Sequence, residues 1–141
     1  MSLPLTVYIL TGLAGLVVVL TRVRLGGDKR GAGRLQISHA LLNTHTISGL
    51  AAFMTWTAFL LTGIGENDGN SLIGVAGLAL FWITTVAGLM ILVRWIPSRG
   101  RHSADAVSDE WSEGPGLSIL AHVGMLVGVC VFTWAYLTSA I

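Results

Sequence analysis

The chain has 141 residues, of which 53% are hydrophobic and only 11% are charged. Soluble domains carry about 25% charged residues, because a surface that faces water needs them. A chain this poor in charge cannot cover a water-exposed globule, so its composition excludes an ordinary soluble domain. It predicts an integral membrane protein.

Four apolar segments are long enough to be transmembrane helices. A helix needs about 20 mostly apolar residues to cross roughly 30 Å of hydrocarbon. None of the four contains Asp, Glu, Lys or Arg, and backbone groups in lipid must be satisfied within a helix or a closed barrel. The predicted spans are residues 3–21, 37–62, 72–93 and 117–140. The sequence therefore predicts one all-α domain over residues 1–141, a four-transmembrane-helix bundle with successive helices antiparallel.

The charges in the loops predict an orientation. All eight Lys and Arg residues lie in the loops 22–36 and 94–116, whereas the loop 63–71 carries only Glu66 and Asp68 as charged residues. Cytoplasmic loops of membrane proteins are rich in Lys and Arg. We therefore expect both basic loops to be cytoplasmic and both termini to lie outside a plasma membrane. This topology accounts for the basic residues, so no nucleic-acid partner is predicted.

Two pairs of segments resemble each other. Residues 14–22 and 87–94 both run from Ala-Gly-Leu to an arginine, and residues 55–62 and 133–138 both begin with Thr-Trp. The likeness allows a tandem duplication of a two-helix unit, although apolar segments also match by chance. In a duplication, helices two and four would be equivalent, and residues at equal depth on them would face each other.

Small and polar residues at helical spacing predict one packing face on each helix, because close packing in lipid favours small side chains. The predicted faces are Tyr8, Thr11, Gly12, Gly15 and Val19 on helix one; His45, Ser48, Gly49, Ala52 and Trp56 on helix two; Gly74, Gly77, Phe81, Thr85 and Gly88 on helix three; and His122, Met125, Val129, Thr133 and Tyr136 on helix four. Helix two carries a second polar face, formed by His39, Asn43, Thr46 and Thr57. That face suggests a further partner, such as another subunit, a lipid headgroup or a cofactor.

Three of the four histidines lie within the predicted spans, near the cytoplasmic ends. They are His39, His45 and His122. Ionisable side chains inside a membrane are costly and are functional candidates for that reason. His45 and His122 precede the two Thr-Trp pairs by ten and eleven residues, so they have nearly equivalent positions in the suspected repeat.

Two neutral imidazoles from facing helices are the axial ligands that a low-spin haem b requires. His45 and His122 are therefore candidate haem ligands, and Gly49 and Gly124 beside them are expected to leave room for a flat macrocycle. The candidate contacts for the haem propionates are Arg22, Arg34 and Arg94. In architecture this resembles the bis-histidine four-helix bundles of membrane b-type cytochromes, which implies one haem b and electron transfer.

The same histidines have other interpretations. A histidine near a helix end can reach interfacial water or a backbone carbonyl without any cofactor, and a metal or proton-relay role is a further alternative. A three-histidine metal site is disfavoured, because His39 and His45 point about 120° apart around their helix. His102 is expected to be solvated in its loop. No predicted span contains a carboxylate, which argues against a proton-coupled transporter.

Two functional hypotheses follow. In the first, the chain is a small subunit of a larger membrane assembly, such as a respiratory or redox complex. It would then act in assembly or stability beside lipids and other integral-membrane subunits, with no catalysis of its own. In the second, it is a b-type cytochrome-like electron carrier with one haem between His45 and His122, and a quinone partner is expected only in this case.

Overall fold

The computed structural model describes residues 2–25, 37–62, 68–95 and 116–141. This part of the chain is all-helical and contains no strand. Its four helices are α1 (Leu3–Leu25), α2 (His39–Leu61), α3 (Asp68–Trp95) and α4 (Gly116–Leu137). The predicted all-α class is confirmed.

Three of these helices are long and apolar enough to cross a membrane. The qualifying segments are Leu3–Val23 in α1, Leu72–Arg94 in α3 and Ser118–Leu137 in α4. They indicate that the chain is a membrane protein. α2 has the same length as α1, 23 residues, but it is not among these segments, and it carries polar residues such as His39, Asn43 and His45.

The exposed surface of the bundle is apolar, as a surface in contact with lipid must be. Every helix exposes large aliphatic side chains, including Val23 (63% exposed), Met54 (64%), Leu72 (73%) and Leu120 (70%). Apolar exposure on this scale marks a surface that lies against a membrane or another protein.

Each helix packs antiparallel against two neighbours. α1 and α3 both contact α2 and α4, so α2 and α4 lie diagonally across the bundle. Polar contacts fix the register: the Tyr8 hydroxyl donates a hydrogen bond to the Leu60 carbonyl at 3.2 Å, joining α1 to α2. The indole N–H of Trp82 on α3 donates to Thr133 Oγ1 on α4, also at 3.2 Å.

The core of the bundle contains two apolar clusters. The larger takes residues from all four helices and contains stacked or edge-on aromatic rings, namely Trp56, Phe59, Phe81, Phe132 and Tyr136. The smaller lies near the loops 22–36 and 94–116 and is formed by Leu25, Ile37, Leu42 and Ile91. His45 lies between these clusters along α2, and Gly88 lies between them along α3.

The predicted packing faces of α2 and α3 are confirmed, since all five residues on each are buried. On α4 the face is confirmed with Thr133 and Tyr136 only partly buried. The face predicted for α1 is wrong. Tyr8 and Val19 are exposed (47% and 48%), and the buried stripe is Val7, Thr11, Ala14 and Val18. The reason is that close contact needs a small residue on one partner only: Val18 of α1 packs against Gly49 of α2.

The tandem repeat stays a prediction, and its tryptophans have different surroundings. Trp56 is fully buried, whereas Trp134 is 59% exposed. In α4 it is Phe132, two residues earlier, that stacks on Trp56 in the core, with ring centroids 5.3 Å apart.

Candidate functional site

The start of α2 is fixed by a side-chain cap, and this sets the depth of His45. Ser38 has an extended backbone (φ −65°, ψ 142°), and its hydroxyl oxygen accepts a hydrogen bond from the Leu41 amide at 3.1 Å. Such a cap satisfies an amide that the first helical turn leaves without a partner. His45 therefore lies about 9 Å along the helix axis from its first residue.

His122 is held in one orientation by its own helix. Its Nδ1 lies 2.7 Å from the carbonyl oxygen of Ser118, one turn earlier in α4. A neutral imidazole that donates from Nδ1 keeps a free electron pair on Nε2. A hydrogen bond from the remote ring nitrogen to a backbone carbonyl also orients histidines that bind metals.

The fold brings His45 and His122 together across the bundle. Their side chains are 1% and 6% exposed, and their ring centroids are 6.3 Å apart with the planes tilted by 41°. The Nδ1 of His45 and the Nε2 of His122 are both buried without a hydrogen-bond partner. These two rings, called the histidine pair below, lie side by side without satisfying each other. Buried polar atoms usually have partners, so the pair is a place where a ligand or water is expected.

The ring separation has a chemical meaning. Imidazole nitrogens bind metals at about 2.0–2.1 Å, and the centre of each ring lies about 1 Å further away, so two rings on opposite sides of one ion are roughly 6 Å apart. The observed separation of 6.3 Å agrees with that value. This distance brings the two rings within reach of one metal ion, and it is also an ordinary distance between two packed rings.

The glycine beside the histidine pair comes from α3. A Cβ atom added to Gly88 would lie 2.9 Å from His122 Cδ2 and 3.3 Å from both Cδ2 and Nε2 of His45. The backbone of α3 thus approaches Cδ2 of His122 and the Cδ2–Nε2 edge of His45, which lies opposite the partnerless Nδ1 of that ring. The sequence marked Gly88 as a packing residue and gave no sign of its role at the site.

The expectation that Gly49 and Gly124 leave room for a macrocycle is wrong. A Cβ atom on Gly49 would meet Val18 at 2.5 Å and Thr84 at 3.1 Å, so the space beside it is filled. Gly124 has nothing within 4 Å of its Cβ position and lines an open groove between α1 and α4.

The register between α2 and α3 is set next to the histidine pair. The hydroxyls of Ser48 and Thr84 lie 2.8 Å apart, one turn from His45 and Gly88 respectively. We call the close-packed contact here the α2–α3 seam; it comprises Ser48, Gly49 and Trp56 of α2 and Gly77, Thr84 and Gly88 of α3. Near its other end, a Cβ on Gly77 would lie 3.2 Å from the backbone nitrogen of Trp56.

The groove between α1 and α4, called the α1–α4 groove below, is open, whereas the α2–α3 seam is closely packed. It has a volume of about 370 Å³ and is lined by apolar side chains and by Gly124 and Gly128. Neither histidine of the pair lines it.

The predicted propionate contacts have different outcomes. Arg22 is exposed at the end of α1 nearest the histidine pair, and its Nη1 donates a hydrogen bond to Asn43 Oδ1 at 2.7 Å. Arg94 is exposed near the corresponding end of α3. Arg34 lies outside the described residues. Contact of these arginines with a propionate stays a prediction.

The second polar face of α2 is largely satisfied within the chain. Asn43 accepts the hydrogen bond from Arg22, and the Thr46 hydroxyl donates to the Leu42 carbonyl at 2.8 Å. His39 is exposed, and Thr57 Oγ1 is buried without a partner. Two of the four residues of this face thus have a hydrogen bond within the chain, and an external partner for the face stays a prediction. His102 lies outside the described residues.

No group of three or more His, Cys, Asp or Glu residues suited to a metal ion occurs in the described ranges. Within those ranges the pair has no third protein ligand, whereas structural zinc sites use four and catalytic ones usually three. Comparison of the chain with protein-family models, with characterised proteins and with solved structures finds no match.

Proposed function

We propose that this chain is a small membrane electron carrier in which His45 and His122 are the axial ligands of one haem b. The observation that carries the proposal is the buried histidine pair, with ring centroids 6.3 Å apart and a partnerless nitrogen on each ring. Burying two ionisable side chains inside a membrane is costly, and such side chains usually have a function.

The number of protein ligands favours haem over a bare ion. A haem iron receives its equatorial ligands from the macrocycle and needs only two axial ligands from the protein. A macrocycle between the rings would require the α3 backbone at Gly88 to move aside, because a Cβ atom there would lie 2.9 Å from His122 Cδ2 and 3.3 Å from His45 Cδ2. When bound, the haem supplies one-electron transfer. The chain's own residues hold His122 in place through the Ser118 carbonyl and keep both rings away from solvent.

The proposal includes a topology. α2 is 23 residues long, or roughly 34 Å, which is enough to cross the hydrocarbon together with α1, α3 and α4. Its polar residues His45 and Ser48 face the bundle interior, so they need not contact lipid. The basic loops 22–36 and 94–116 then lie in the cytoplasm of a cell whose plasma membrane holds the chain. The haem would lie near that side, with Arg22, Arg34 and Arg94 available to its propionates.

The test is a reduced-minus-oxidised visible spectrum of the purified protein in mild detergent. The proposal expects the sharp α-band of low-spin haem b in the wild type, and its loss in His45→Ala and in His122→Ala. His39→Ala is the matched control, because His39 lies on the same helix as His45 but is exposed. A folded wild type without the band, or two histidine variants that keep it, would contradict the proposal.

A second candidate function is that of a small subunit in a larger assembly of integral-membrane proteins, such as a redox complex. The α1–α4 groove supports it, because Gly124 and Gly128 are four residues apart and meet nothing within 4 Å. Small residues at this spacing allow transmembrane helices to pack closely. Native electrophoresis of solubilised membranes tests it. A large complex is expected for the wild type and its loss for Gly128→Leu, whereas a wild type that migrates alone would count against it.

A further inference from the structure

We infer that the outer side of α2 and α3 binds an acyl chain of one anionic phospholipid, with Arg94 at the lipid phosphate. The site is a second groove, called the outer groove below, which has a volume of about 380 Å³. Its lining includes Leu41 and Thr44 of α2 and Trp82, Ile83, Val86 and Met90 of α3. The inference goes beyond the proposed function, because neither histidine of the pair lines this groove.

The side chains of the outer groove suit a hydrocarbon chain. Of the six, only Thr44 and Trp82 carry a polar atom, and the indole N–H of Trp82 already donates to Thr133 on α4. Val86 and Met90 are 54% and 45% exposed, so the chain by itself leaves this surface open. A hydrocarbon chain can cover such a surface, because it brings no polar group that would lose its partner there.

The length of the outer groove matches one leaflet of a bilayer. From Trp82 to Met90, α3 rises about 12 Å, and half of the roughly 30 Å hydrocarbon core is about 15 Å. Trp82 lies near the middle of the apolar segment Leu72–Arg94, and Met90 lies one turn before its end. A partner helix that crosses the bilayer would pack along the whole segment, whereas an acyl chain of one leaflet needs only this half.

Arg94 gives the mouth of the outer groove a positive charge. It follows Met90 by four residues, so both lie on the same face of α3, and it is exposed. Among the described residues the sole Asp or Glu is Asp68, at the opposite end of α3, so none of them neutralises Arg94. A guanidinium binds phosphate through paired hydrogen bonds, and its long stem reaches the headgroup level from the last turn of a membrane helix. The charge at the mouth therefore favours an anionic phospholipid over a zwitterionic one.

The experiment measures lipid binding to haem-free protein, because Arg94 is also a candidate contact of a haem propionate. Native mass spectrometry in mild detergent counts the molecules of added phosphatidylglycerol or phosphatidylcholine, with the same acyl chains, that stay bound to the full chain. We expect the wild type to bind phosphatidylglycerol about 5-fold more tightly, the factor for one arginine near an anionic headgroup. Arg94→Gln should lose this preference. Arg22→Gln is the matched control and should keep it, because Arg22 is also exposed but lies on α1 and donates to Asn43.

A second pair of variants tests the groove itself. Val86→Trp fills the outer groove and should lose affinity for both lipids. Val75→Trp adds the same side chain to α3 at a position that is similarly exposed (49%) but does not line the groove, and it should bind both lipids like the wild type.

Four results would overturn the inference. The first is equal affinity of the wild type for the two lipids, and the second is an equal loss of preference in Arg94→Gln and Arg22→Gln. The third is unchanged lipid binding in Val86→Trp. The fourth is a protein dimer that Val86→Trp dissociates, because a helix of a second copy would then fill the groove.

Discussion

The α2–α3 seam and the α1–α4 groove both contain glycines but pack differently. In the seam, the Cβ positions of Gly77 and Gly88 lie 3.3 Å or less from the neighbouring helix backbone or side chains. In the groove, the Cβ positions of Gly124 and Gly128 meet nothing within 4 Å. A glycine in a membrane helix therefore permits close contact without ensuring it. What distinguishes the two regions is the partner opposite the glycine: a backbone and two imidazoles in one case, an open space in the other.

The largest effect on the unfolding free energy should come from Trp56, at the aromatic end of the α2–α3 seam. Trp56→Ala removes a fully buried ring that stacks on Phe59 and Phe132, and we expect it to cost about 3–5 kcal/mol of unfolding free energy. Trp134→Ala is the control, because that ring is 59% exposed and its loss should change the stability by less than about 0.5 kcal/mol. Reversible unfolding in mixed micelles measures both. An equal loss of unfolding free energy in Trp56→Ala and Trp134→Ala would contradict the full burial of Trp56.

A smaller effect is expected from a side chain placed on the glycines themselves. Gly77→Val should destabilise the fold by about 1–3 kcal/mol, because its side chain would press on the Trp56 backbone and separate α2 from α3. Gly128→Val places the same side chain in the α1–α4 groove, where we expect a change within about 0.5 kcal/mol. The same unfolding measurement applies. A costly Gly128→Val would mean that another helix already fills the groove.

The smallest effect should come from the hydroxyl contact in the seam. A double-mutant cycle with Ser48→Ala and Thr84→Val isolates the coupling of the two side chains. Ser48 also donates to the Thr44 carbonyl and Thr84 to the Leu80 carbonyl, so whichever hydroxyl donates across the seam gives up the bond within its own helix. We therefore expect a coupling of at most about 0.6 kcal/mol, the average for hydrogen bonds between membrane helices. The pair Thr46→Ala and Thr84→Val should show none, because the Thr46 hydroxyl bonds within α2. A coupling of zero between Ser48→Ala and Thr84→Val would show that the hydroxyl contact does not help to set the register between α2 and α3.

Helical periodicity predicted much of the fold. The faces of α2 and α3 followed directly from the spacing of small and polar residues, because each of these helices packs against two neighbours with one side and leaves its other side exposed. The face of α1 did not, since the buried Val18 is large and packs against a glycine of another helix, Gly49 of α2. The spacing of small residues locates the packing face of a helix only when those small residues lie on that same helix.

The two candidate ligands of the site could be predicted from the sequence, but the residues around them could not. His45 and His122 were paired because both are ionisable groups at nearly equal depth and at nearly equivalent positions of the suspected repeat. Gly88 could not be assigned to the site in this way, because its role depends on the register between α2 and α3. Gly49 and Gly124 were assigned wrongly for the same reason: sequence proximity to a histidine does not give the neighbour across the helix interface.

The central claim is that two histidines from diagonal helices form one bis-imidazole site. The most direct measurement is a titration of haem b into haem-free protein, with the low-spin spectrum recorded for the wild type and for the double variant His45→Ala/His122→Ala. The account predicts saturation at one haem per chain in the wild type and no low-spin complex in the double variant. A wild type that does not bind haem, or a double variant that binds it equally well, would contradict the account.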